Sequence, residues 1–201
     1  MIYLGRDRLI DIYDYIDYVR ISQLELIAYE IKSNNILGSV AEVGVYRGDF
    51  ARYINLLFPD RKLYLFDTFE GFPEVDAKID QMKGFSNANQ DWSETSLELV
   101  IKKMTYPENV IIKKGRFPDT AYDIDDRFAF VSLDVDLYLP TKQGLEFFYP
   151  RLSSGGVIMV HDFNNAGYKG VRHAVLEFCK ENKVGYVPIS DLAGSCIIFK
   201  I

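Results

Sequence analysis

The sequence predicts a doubly wound α/β fold, a parallel sheet covered by helices on both faces and preceded by a helical N-terminal extension. Short, near-continuous apolar runs alternate with segments of helical period, the pattern of strands buried on both faces. The chain has 201 residues, the length of one domain. Such a chain buries roughly 70% of its unfolded surface without staples. Glycines and acidic residues stand at the ends of the apolar runs, where open α/β sheets bind their ligands.

Residues 8–33 carry the first helical pattern. Leu9, Ile10, Tyr13 and Ile16, then Leu24, Leu26, Ile27 and Ile31, recur about one turn apart until the polar break Lys32-Ser33-Asn34-Asn35. Ser39–Val45 (SVAEVGV) reads as the first strand, and Gly48–Phe58 as a helix stopped before Pro59. Lys62–Phe66 (KLYLF) is the second strand. Residues 69–93 are rich in Gly, Asn, Pro and isolated aromatics without a clear period, so they predict a long loop, either functional or disordered. Thr95–Met104 reads as a helix, Asn109–Lys114 as the third strand and Phe128–Leu133 as the fourth, with Asp134 at its end. Leu139–Leu152 is a helix begun around Pro140, and Gly156–Val160 is the fifth strand. A helix across Tyr168–Asn182 and strands at Val184–Ile189 and Ser195–Ile201 close the chain.

Composition narrows the function classes. The 23 basic and 29 acidic residues give a net charge of −6, and the pI is near 5.0. That field repels phosphate backbones, and no basic stripe offsets it: Lys102-Lys103 and Lys113-Lys114 are short pairs on solvated faces. A nucleic-acid partner is not expected. Two cysteines, Cys179 and Cys196, have no metal spacing and predict reduced thiols in a cytoplasmic protein. Asp7, Asp11 and Asp14 interrupt any signal-like run, and no stretch approaches ~18 apolar residues, so no membrane span is expected. Aromatics reach 14% of the chain, with 14 Tyr and 14 Phe. Most are expected in the core. Phe72, Phe85 and Trp92, in the aperiodic segment, are instead candidates to stack on a ligand.

The first strand runs into Glu42-Val43-Gly44-Val45-Tyr46-Arg47-Gly48, a strand-to-helix turn that a ligand can approach closely. A dinucleotide fingerprint needs a third glycine to receive a pyrophosphate, and Glu42 would repel one. A carboxylate there suits an ammonium or sulfonium group; a tight turn with no ligand is the plainer alternative. Asp67 ends the second strand, where an acid can hold both ribose hydroxyls or merely cap a turn. Glu42, Gly44, Gly48 and Asp67 together resemble the S-adenosylmethionine site of class I methyltransferases. In that fold the first acid supports the amino-acid end of the cofactor. Asp67-Thr68 would then face the ribose, and Gly115-Arg116 the adenine edge.

Asp134 and Asp136 follow the fourth strand, and His161-Asp162 follow the fifth. Neighbouring strands would bring these carboxylates to one sheet edge, a crowding that is costly without protonation or a cation. Oxygen ligands of this kind suit Mg²⁺ or Mn²⁺, which lowers the pKa of a bound hydroxyl so that a carboxylate can take its proton. Helix capping is the plainer alternative. Imidazole is a poor Mg²⁺ ligand, so His161 is open to several roles: metal ligand, orienting partner of Asp162, auxiliary base or structural histidine. His173, in the last helix, reads as structural or surface.

From Val40 onward the chain resembles the macrocin O-methyltransferase (TylF-like) family. The matching blocks are AEVGVYRG, LYLFDTFEGFP, GRFPDT, SLDVDLYLPT, FYPRLSSGGVIMVHDF and GVRHAV. The resemblance implies a Rossmann-like class I methyltransferase with a seven-stranded, mostly parallel sheet and an antiparallel last strand. It also implies S-adenosylmethionine as cofactor, Mg²⁺ or Mn²⁺ as metal and a sugar hydroxyl as methyl acceptor, on a small molecule or a glycan. By position Asp134 matches the family's metal ligand and general base, and Asp162 the second aspartate of its metal pair. His161 stands where an aspartate is expected, and Asp136 is the candidate to replace it. Glu42, Gly44 and Gly48 match the cofactor loop, and Asp67 the ribose-binding acid. The resemblance divides the chain into an N-terminal helical extension, 1–35, and a methyltransferase domain, 36–201, with 69–93 as lid or insert. In relatives such N-terminal helices serve the lid or contacts within a homo-oligomer. Two rival readings stay open: a catechol or phenol O-methyltransferase, and a non-catalytic domain that binds a nucleotide-like ligand.

Overall fold

A computed structural model describes residues 17–201; the helical period expected over residues 8–16 lies outside them. Helix α1, Tyr18–Ser33, begins where the Asp17 side chain accepts from the Val19 and Arg20 amides at 3.0 and 3.3 Å. Its Ile21, Leu24, Ala28 and Ile31 recur at helical spacing and are buried. They pack with Val40, Phe50, Ala51, Ile54 and Phe130, so α1 covers one face of the sheet.

The remaining elements are β1 (Ser39–Val43), α2 (Ala51–Leu57), β2 (Leu63–Asp67), α3 (Glu74–Lys83), α4 (Leu97–Lys102) and β3 (Val110–Lys114). They continue as β4 (Phe128–Leu133), α5 (Tyr138–Arg151), β5 (Leu152–Val160), α6 (Lys169–Asn182), β6 (Val187–Pro188) and β7 (Cys196–Phe199). The strands form one seven-stranded sheet in the order β3-β2-β1-β4-β5-β7-β6. Pairs from β3 to β5 are parallel, and β7 is antiparallel to both β5 and β6. The order reverses between β1 and β4, which opens a crevice at their carboxyl ends.

Alternation along the strands sorts residues onto two cores. Ala41, Val43, Tyr64, Phe66, Val131 and Leu133 join Phe117 and Phe148 of one layer. Val40, Leu63, Leu65 and Phe130 join α1 and α2 on the other. By the same alternation Glu42 and Ser132 project to the α1 side. Phe66, Phe117, Phe128 and Phe148 meet at 5.0–6.0 Å between ring centres, an aromatic cluster within one core.

Three elements differ from expectation. Residues 69–93 are not one loop: α3 occupies Glu74–Lys83. Hydrophobic period could not reveal it, because its buried positions are Asp76 and Asp80 while Val75 and Met82 are exposed. β5 starts at Leu152 rather than Gly156, running through both glycines. β6 shrinks to Val187–Pro188, since proline limits an edge strand. Cys179 and Cys196 are free and buried.

Candidate active site

The site lies at the crevice between β1 and β4, in a cavity of about 590 Å³, a volume that holds a small organic ligand. Its floor is the turn after β1. Gly44 has φ +84°, and a Cβ there would sit 1.8 Å from the Asp134 carbonyl oxygen. Only glycine lets the β1 and β4 turns approach so closely. Asp67 pins this turn from β2: its Oδ2 accepts from the Val45 and Tyr46 amides at 2.7 and 2.8 Å, and its Oδ1 from the Phe69 amide at 2.7 Å. The carboxylate is therefore held rigid at the cavity wall, with acceptor capacity left on Oδ1.

Glu42 lines the same cavity at 1% exposure, and its Oε2 has no hydrogen-bond partner among the described residues. Burial raises its carboxyl well above the usual range, against the opposing charge of Arg20. Thr68 lines the cavity too, its hydroxyl donating to the Gly71 carbonyl at 2.6 Å. Gly115 also lines it, its amide bonded to the Asp67 carbonyl at 2.9 Å. Arg116 does not follow Gly115 into the cavity: its guanidinium turns to the buried Asp76 at 2.8 Å and to Asp119 at 3.3 Å. It anchors α3.

The carboxylate cluster lines the same cavity, after β4 and β5. His161 Nδ1 lies 2.8 Å from Asp134 Oδ1 and 2.8 Å from Asp162 Oδ2. Asp134 Oδ2 is paired with Arg20 Nη2 at 3.0 Å, and Asp162 Oδ1 accepts from Asn165 Nδ2 at 2.6 Å. Burial raises the Asp134 carboxyl, but the charges of His161 and Arg20 outweigh it and hold the group far below the usual range. Burial would lower the His161 imidazole, but Asp134 and Asp162 push it up to about 10. Asp136, buried beside Asp134 and Asp162, is raised by burial and by both neighbouring charges. Asp136 and Asp162 both hold left-handed backbone, φ 59° and 57°, a cost that gathers at functional sites.

Donor atoms of Asp134, His161 and Asp162 all lie within 4.8 Å of one another. Carboxylate oxygens with one imidazole nitrogen fit a divalent cation that displaces the proton His161 shares with Asp134 and Asp162, Mn²⁺ more readily than Mg²⁺ because of the nitrogen. Of the rings singled out in the aperiodic segment, Phe72 and Trp92 line the cavity, Trp92 edge-on to Tyr46 at 5.0 Å. Phe85 does not: it stacks on His173 at 4.5 Å, which also gives that histidine a structural partner.

Arg20 is the site residue that sequence reasoning missed. It sits one turn before Leu24 on the apolar stripe of α1, where a charged residue is itself a signal of a buried partner. Its Cζ lies 3.9 Å over the Phe50 ring. Asp17 at the start of α1 also accepts from the amide of Leu192, in the loop between β6 and β7. The described residues contain no helix long and apolar enough to cross a membrane.

Comparison with known proteins places the fold and the chain. A Streptomyces olivaceus protein, 8-demethyl-8-(2,3-dimethoxy-alpha-L-rhamnosyl)-tetracenomycin-C 4'-O-methyltransferase, is 26% identical over 98% of this chain and 78% of its own. The mycinamicin III 3''-O-methyltransferase of Micromonospora griseorubida is 30% identical over 72% of this chain and 62% of its own. The solved structure of the O-methyltransferase NovP superposes with a TM-score of 0.77 at 21% identity, over 94% of this chain and 83% of its own. The description "Macrocin-O-methyltransferase (TylF)" matches residues 3–200. The chain belongs to the TylF macrocin-O-methyltransferase family and is an O-methyltransferase.

Proposed function

We propose that this enzyme transfers the methyl group of S-adenosylmethionine to a hydroxyl of a sugar moiety, with help from a divalent cation. One observation carries the reading: Glu42, Asp67 and the Asp134–His161–Asp162 cluster all line a single cavity. Glu42 suits the ammonium end of the cofactor and Asp67 its ribose, with Gly44, Thr68 and Gly115 shaping the cradle; Gly48 lies outside the cavity lining, its φ of +76° letting the turn pack against Val100 of α4. Similarity to methyltransferases named for rhamnosyl and mycinamicin substrates supports a sugar acceptor. Residues 36–201 would carry the reaction, 69–93 would form its lid, 1–35 would be a helical extension, and the cytoplasm is the proposed location.

Asp134 receives the acceptor hydroxyl's proton, and the oxygen attacks the methyl carbon in line. The carbon–sulfur bond breaks, and its electron pair stays on sulfur to give S-adenosylhomocysteine. Paired with Arg20 and His161, Asp134 is ionised but weakly basic, so the hydroxyl must be made more acidic. A Mg²⁺ or Mn²⁺ ion held by Asp134, Asp162 and His161, with Asp136 beside them, would supply that acidity. Phe72 and Trp92 offer faces to the sugar ring and exclude water. Transfer of radiolabelled methyl from S-adenosylmethionine to a panel of rhamnosides, nucleotide sugars and catechols, with and without EDTA, tests the reading. Label on glycosides that disappears with EDTA is expected; label on catechols alone would refute the sugar acceptor.

A further inference from the structure

Two buried, oppositely charged groups in the cavity each keep an unused hydrogen-bonding atom. Arg20, 8% exposed, uses Nη2 on Asp134 Oδ2 at 3.0 Å and on Ser132 Oγ at 3.4 Å, while its Nε has no partner among the described residues. Glu42, 1% exposed, leaves Oε2 without one. Both line the cavity beside the Gly44 turn. Unsatisfied buried charged atoms are costly, and such pairs persist where a ligand supplies the missing partners. A cation beside a carboxyl that an arriving ammonium would ionise is the complement of a zwitterion. The amino-acid end of S-adenosylmethionine is one, with an ammonium and a carboxylate on the same carbon.

We propose that Arg20, delivered by α1, binds the carboxylate of the cofactor's amino-acid end while Glu42 takes its ammonium. Arg20 is thereby a cofactor-binding residue, and α1 forms one wall of the cofactor site. The planar guanidinium suits this double duty: it can hold Asp134 through Nη2 and present Nε–H to a second carboxylate. Phe50 below the guanidinium fixes its plane. The inference rests on S-adenosylmethionine being the cofactor.

The test compares two probes by calorimetry on the full chain: S-adenosylhomocysteine, which keeps the amino-acid end, and 5′-methylthioadenosine, which lacks it. Arg20→Met is expected to weaken S-adenosylhomocysteine about 10- to 100-fold and to leave 5′-methylthioadenosine unchanged. Arg20→Lys, which keeps the charge and spares the fold should the methionine variant fail to accumulate, is expected to recover part of that loss. Equal weakening of both probes in either variant would reduce Arg20 to a structural role and overturn the proposal, as would unchanged binding of both. Failure of the unaltered protein to bind either probe would instead overturn the cofactor reading beneath it.

Discussion

At the scale of single residues, the site is built by matching buried charges. Asp134 sits between a guanidinium and an imidazole, and this keeps it ionised in a place that would otherwise favour the neutral acid. Replacing it with Asn removes the proton acceptor and one donor of the cation cluster. Methyl transfer is expected to fall by about 10²–10⁴, as for loss of a general base, while S-adenosylhomocysteine binding in a calorimeter changes little. Gly44 offers a second test. A methyl group there would meet backbone 1.8 Å away, and φ +84° adds strain, so Gly44→Ala is expected to cost about 3 kcal/mol in a denaturant melt and to abolish cofactor binding. The acids at the strand ends were legible in the sequence, because strand alternation and Gly spacing placed Glu42, Asp67, Asp134 and Asp162 at one edge. Arg20 was not, since nothing local says which distant carboxylate a buried arginine will meet. Arg116 misled for the same reason: its position follows from β3, but its direction is set by Asp76 of α3.

At the scale of elements, α3 is the informative one. It is held by buried carboxylates rather than by an apolar stripe: Asp76 pairs with Arg116, and Asp80 Oδ1 accepts from the Tyr138 amide at 2.9 Å. Its signs in the sequence are acids in the first turn, Lys83 in the last and Gly84 just beyond, which caps the helix in the left-handed region. These cues are weaker than hydrophobic period, so the helix reads as loop. Asp80 pays for its place. Burial, aided by Asp76 and opposed by the Tyr138 amide and Lys83, pushes its carboxyl up to about 6, and Oδ2 has no partner among the described residues. A raised carboxyl favours the folded state while protonated, so that contribution is present below the ordinary value near 3.8 and fades as pH rises through about 6. Asp80→Asn is therefore expected to raise the melting temperature at about pH 8, by up to ~3 kcal/mol of stability, and to change it little at about pH 4. Equal gains at both pH values in thermal melts would contradict the assignment.

At the scale of the whole molecule, the reversal of strand order between β1 and β4 decides where everything converges. Alternating apolar runs were enough to foretell the sheet and its helices. The antiparallel β7 came from the family resemblance and the strand order only from the structure, because pairing partners far apart in sequence leave no local trace. The net charge of −6 also gains a place: eight of the 29 acidic residues line one cavity, where Arg20 and His161 offset part of their charge and a cationic cofactor and metal would offset more. Folding and binding should then be linked. Adding S-adenosylhomocysteine at a hundredfold excess over its Kd is expected to stabilise the protein by about 2.7 kcal/mol, read as a rise in melting temperature. The most direct measurement of the central claim is transfer of radiolabelled methyl from S-adenosylmethionine to glycoside hydroxyls by the intact enzyme, run with Mn²⁺, with EDTA and with Asp134→Ala. The account predicts labelled glycoside with Mn²⁺ alone; undiminished labelling in EDTA or in the Asp134→Ala variant would contradict it.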